Sequence, residues 1–68
     1  MSPTRYVLAI YIADRPYKLR EGFALELLQT VRYNLEKTSP HSNYKIMSSK
    51  QFREERNQAI EQLAKRDL

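Results

Sequence analysis

The sequence predicts a mainly α fold, three helices in a single small domain spanning residues 1–68, on three observations. Segment 17–38, YKLREGFALELLQTVRYNLEKT, sets Phe23, Ala24, Leu27, Leu28, Val31 and Leu35 on one stripe at three- and four-residue spacing, the pattern of an amphipathic helix. Ser48 and Gln51 fit an S-x-x-Q capping box, with Met47 placed to pack on Phe52 as a hydrophobic staple, so a helix starts just after Ser48. Ser2 and Pro3 suit an N-cap and a first helical position, and Asp14-Arg15-Pro16 closes the apolar run Tyr6 to Ala13 in the way proline stops a helix. The expected helices are 3–14, 17–38 and 49–67.

The first element has an alternative. Tyr6, Val7, Ile10, Tyr11 and Ile12 are β-branched or aromatic, which favours a strand over 5–13 and an α/β fold of βαβα order. Periodicity does not arbitrate, because the run is apolar on every side in either geometry. The second element carries one defect, Gly22, which marks a close contact, a bend or a later helix start. Ser39-Pro40 ends it, because the residue before a proline leaves the helical region. Leu19, Leu25 and Tyr33 fall off its stripe. Between 39 and 49 the chain is polar and turn-rich around Tyr44 to Met47, a short strand or a loop. The last helix has a narrow apolar side of Phe52, Ala59, Ile60 and Leu63, on which Arg56 intrudes.

Twelve Lys and Arg stand against eight Asp and Glu, giving a net charge of +4 and a pI near 9.6. Such a balance suits a phosphate-bearing partner. There is no cysteine, so disulfides and thiolate metal sites are excluded and a cytoplasmic location is expected. The longest apolar run is far shorter than the roughly 20 residues that span a bilayer, and no membrane partner is expected. Whether Tyr6–Ala13 is helix or strand, two following helices leave part of it bare, so a homodimer or another protein partner is expected to cover it.

Catalysis finds no support in the residue pattern, and neither does a cofactor. His41, the sole histidine, lies in a polar loop without a convergent partner. The serines at 39, 42, 48 and 49 suit caps and turns. A single glycine cannot build a phosphate-cradling loop, and Glu54, Glu55 and Glu61 amid Lys and Arg read as a solvated helix face. Tyrosines beside basic residues, in RPYKLR, VRYNLEK and NYK, are of the kind that stack on bases while cations hold phosphates, but the commoner use of such a residue is at the edge of a small core with its hydroxyl in water.

PTRYVLAIYIADRP resembles the helix that opens the helix-turn-helix unit of MarR-type winged-helix regulators, and SSKQFREERNQAIEQLAKRDL resembles a winged-helix recognition helix. The resemblance implies a DNA-binding regulator whose last helix lies on duplex DNA, with Ile60, Leu63 and Leu68 packed inward. Ser48, Ser49, Lys50, Gln51, Arg53 and Asn57 are the expected DNA contacts, and Arg, Asn and Gln are the side chains that read guanine and adenine in the major groove. The alternative is an α/β protein-interaction module without catalytic activity.

Overall fold

The computed structural model describes residues 3–66, and its first element is a strand. β1 (Tyr6–Ile12) turns at Ala13-Asp14 into β2 (Arg15–Gly22); α1 (Leu25–Thr38), β3 (Asn43–Ser48) and α2 (Ser49–Arg66) follow. The three-helix, helix-turn-helix expectation is therefore corrected to an α/β fold of three antiparallel strands, ordered β2-β1-β3, with two helices. The winged-helix resemblance falls with it, because the stretch it needed as an opening helix is the central strand. Ser2 and Leu68, given capping and packing roles above, lie outside the described residues.

The hairpin explains why the strand prevails. Ala13 and Asp14 take φ of 53° and 65°, the paired left-handed geometry of a two-residue type I′ turn, whose twist matches that of the flanking strands. Ile12 faces Arg15 and Tyr6 faces Gly22 across the ladder, so backbone groups along the apolar run are satisfied by a partner strand. Pro16 lacks a backbone donor and is tolerated because β2 is an edge strand. A bulge lies opposite Leu8 and Ala9: Leu8 pairs with Arg20 and Ala9 with Lys18, leaving Leu19 as the extra residue. That places Leu19 off any helical stripe for a reason periodicity did not contain.

Asp accepts left-handed geometry more readily than Ala, whose Cβ crowds the following carbonyl there. Replacing Ala13-Asp14 by Asn-Gly, the preferred pair for this turn, is expected to stabilise the fold by about 1 kcal/mol. Thermal unfolding should then shift upward by about 4–8 °C. An unchanged or lower midpoint would mean that the turn is not of this type.

The predicted second helix begins later than its stripe suggested. Residues 17–22 contribute nothing to that stripe and belong to β2, while α1 starts at Leu25, three positions after Gly22. Its end agrees with the Ser39-Pro40 signal: the Ser39 N–H donates to the Leu35 carbonyl at 2.8 Å. β3 takes in the short run around Tyr44 and pairs with β1 from Tyr6↔Ser48 to Tyr11↔Asn43. β2 and β3 thus run parallel to each other on either side of β1, with α1 as their crossover.

No loop separates β3 from α2. Ser49 N–H donates to the Arg5 carbonyl at 2.8 Å, and Gln51 N–H donates to Ser48 Oγ at 3.1 Å, which forms the N-terminal cap read from the sequence. Val7, Ala9, Met47 and Phe52 make the core on one sheet face, with Tyr11 packed beside them. Leu8 is fully buried and, by strand alternation, points to the other face. Leu28, the buried residue of α1, stands outside the Phe52 cluster, so α1 supplies the cover on the Leu8 side. The chain itself therefore covers the middle of the Tyr6–Ala13 segment, where Val7, Leu8 and Ala9 are fully buried.

Tyr11 ties α2 to the sheet. Its hydroxyl donates to Glu55 Oε2 at 2.7 Å, so Glu55 does not belong to the solvated face assigned to it above. Burial, reinforced by the Glu55 carboxylate, pushes the Tyr11 phenol up from 10.0 to about 12. An acid whose folded-state pKa is raised holds its proton longer in the folded chain than in the unfolded one. Its contribution to stability is complete below pH 10 and is lost as pH rises towards 12. The tyrosinate absorbance of the native protein minus that of Tyr11→Phe should therefore rise with its midpoint near pH 12; a midpoint near the ordinary 10.0 would mean that neither burial nor the Glu55 carboxylate acts on this phenol.

A basic hollow beside the last helix

Three elements meet where α2 begins. β1 is preceded by Arg5, β2 contributes Lys18 and Glu21, and the first two turns of α2 contribute Ser49, Phe52, Arg53 and Arg56. Together they line a hollow of about 280 Å³. Pairing in register explains the sheet half: Val7 faces Glu21 and Ala9 faces Lys18, so both charged side chains share the sheet face that carries the Phe52 core. Helical spacing explains the other half, because Ser49, Arg53 and Arg56 at i, i+4 and i+7 share one flank. Phe52 closes the floor.

Four cations thus surround one carboxylate. Glu21 accepts a hydrogen bond from Ser49 Oγ at 2.7 Å and lies 3.3 Å from Lys18 Nζ. The Ser49 hydroxyl, with help from Lys18 and Arg5, holds this carboxyl below its usual range despite partial desolvation. Among the described residues, Arg5, Arg53 and Arg56 have no carboxylate within 4.0 Å. Arg5 lies over the Phe23 ring at 5.0 Å and Arg56 over Phe52 at 5.8 Å, which orients both guanidinium groups without neutralising them. A concave surface with this excess of fixed positive charge focuses a field that attracts anions.

No family model, curated protein or solved structure matches the chain.

The six residues expected to touch DNA are divided by the fold. Ser48 is the cap of α2, and its hydroxyl is engaged by the Gln51 N–H. Ser49 and Arg53 line the hollow. Lys50 and Asn57 stand on an outer row that also carries Glu54 and Glu61, at i, i+4, i+7 and i+11 spacing. Gln51 is exposed away from both groups. Ile60 and Leu63, expected to pack inward, are 43% and 42% exposed.

Sequence reading missed Arg5, Lys18, Glu21 and Arg56 as members of one site. Arg56 carried a signal in its intrusion on an apolar stripe and Lys18 one in RPYKLR; strand pairing brings Lys18 and Glu21 to the site, and Arg5 joins it through its carbonyl, which accepts from the Ser49 N–H. His41 is exposed in the loop before β3. Among the described residues no group of His, Cys, Asp or Glu is arranged to hold a metal ion, and no helix is long and apolar enough to cross a membrane.

Proposed function

We propose that this chain binds nucleic acid, gripping backbone phosphates in the basic hollow. The observation that carries this reading is the convergence of Arg5, Lys18, Arg53 and Arg56 on one concave surface against the single carboxylate Glu21. Phosphate oxygens accept charge-assisted hydrogen bonds from guanidinium and ammonium groups, and Arg adds a planar fork matched to them. Backbone contacts of this kind give affinity without sequence preference. The outer row of α2 suits the task less well, since Glu54 and Glu61 would face the phosphates there. The activity is binding without catalysis, and a cytoplasmic location goes with it.

Release of counterions from four phosphate contacts gives a log-log slope of affinity against salt of about −3. Fluorescence anisotropy with labelled oligonucleotides from about 50 to 200 mM salt would measure it. Absence of binding at the lowest salt, or a slope near zero, would overturn the reading.

A second reading, association with another protein or a second copy of this chain, rests on a separate observation. Leu27 is 68% exposed, Ile12 55% and Phe23 53%. The Cα radius of gyration is 13.3 Å, against about 11 Å for a compact chain of this length. A sedimentation experiment over a range of concentrations separates the two: self-association without nucleic-acid binding would favour the second.

A further inference from the structure

A second groove adjoins the basic hollow and differs from it in character. It occupies about 220 Å³ between the end of β2 and α1, with Arg20, Gly22, Phe23, Leu27, Leu28 and Val31 among its walls. Glu21 borders both spaces. Arg5, a wall of the hollow, also lies over the Phe23 ring. One guanidinium thus links the cationic space to the apolar one.

Phe23 sits in the two-residue link between β2 and α1 and is 53% exposed. Arg5 covers part of it, and Leu27, at 68% exposed, forms the opposite rim. At Gly22 a Cβ would meet nothing within 4 Å, so the backbone beside the ring is open to approach. An aromatic ring left this bare gains little from its own fold. A planar aromatic partner would bury it.

We infer that the hollow and the groove together hold a single-stranded nucleic acid, its phosphate among Arg5, Lys18, Arg53 and Arg56 and an unpaired base stacked on Phe23. This deepens the proposed function and rests on it. The occupant is argued from continuity: a nucleotide joins an anion to a flat, largely apolar ring, and the two spaces meet at Arg5 and Glu21 in the same order. A duplex keeps its bases paired and stacked, so it has no free ring face to offer. Single strands do, and base–aromatic stacking with cation support is how they are held without sequence preference.

The chain contains no tryptophan, so Phe23→Trp introduces a single indole at the stacking position. Short oligothymidine should quench its emission in step with binding, whereas inorganic polyphosphate should bind without quenching. Phe23→Leu keeps apolar bulk but removes the ring. It should weaken oligothymidine roughly tenfold and polyphosphate by no more than about threefold, the part that the Arg5 guanidinium loses with the ring beneath it, with an unaltered far-ultraviolet spectrum.

Several results would overturn the inference. Oligothymidine bound to Phe23→Leu as tightly as to the native chain, with Phe23→Trp emission unchanged at saturation, would remove the base from Phe23 while leaving phosphate binding intact. Equal losses for polyphosphate would assign Phe23 a structural role only. Tighter binding of duplex, or saturation by a mononucleotide at the same concentration, would exclude a single strand as the occupant. Absence of binding to every nucleic acid would remove the proposed function as well.

Discussion

Arg53→Ala combined with Arg56→Ala is expected to weaken nucleic-acid binding about a hundredfold at moderate salt and to reduce the steepness of the salt dependence by about 2. The first figure follows from two charge-assisted hydrogen bonds, each contributing at least about 1.5 kcal/mol, where 1.4 kcal/mol is a factor of ten. The second follows because each phosphate contact removed leaves its counterion in place. Net charge alone would produce a weaker effect, and a matched control isolates it. Lys50→Ala with Lys65→Ala removes the same charge from the far side of α2, where Glu54 and Glu61 also stand, and should lower affinity less than threefold, roughly the effect of screened surface charge. Equal losses in the two double variants would mean that net charge, and not the hollow, sets the affinity. Both arginines are exposed, so neither change should unfold the chain.

Phe52→Ala should do so. Phe52 is 6% exposed and packs with Val7, Ala9 and Met47, and truncating a buried Phe costs about 3–5 kcal/mol in lost burial and cavity. A domain of this length has roughly 3–10 kcal/mol of stability in total, so the loss is comparable to the whole. Urea unfolding followed by circular dichroism should show a chain largely unfolded in buffer, with Phe52→Leu retaining the fold at a cost near 1 kcal/mol. A loss below about 1 kcal/mol for Phe52→Ala would mean that α2 does not pack against the sheet. Phe52 also floors the basic hollow, so Phe52→Leu tests whether binding survives a change of floor with the cationic walls unchanged.

Local signals were legible wherever an interaction spans a few residues. The Ser48–Gln51 cap and the Met47–Phe52 staple could be read as residue types at fixed spacing, and the structure places the first in a 3.1 Å hydrogen bond and the second in one core cluster. The stop at Ser39-Pro40 was legible for the same reason, since proline restricts its own neighbour. The late start of α1 was half legible: Gly22 announced a discontinuity without saying that the residues before it were a strand. Residues 5–13 were not legible. Their flanks matched helix signals, their composition matched a strand, and Ala13-Asp14 lacks the glycine that usually announces a type I′ turn.

By itself, then, the sequence determined the amphipathic stripes, the cap of the last helix, the basic balance and the absence of thiol chemistry, all properties of single residues or of neighbours within one helical turn. Only the tertiary structure decided that Tyr6–Ile12 is the central strand, because backbone hydrogen bonds to β2 and β3 outweigh local helix signals once two partners are present. It also decided which charges act together. Arg5, Lys18 and Arg53 are remote in sequence, and nothing in their local context relates them. They become one site because antiparallel register and helical spacing bring three elements together at the start of α2.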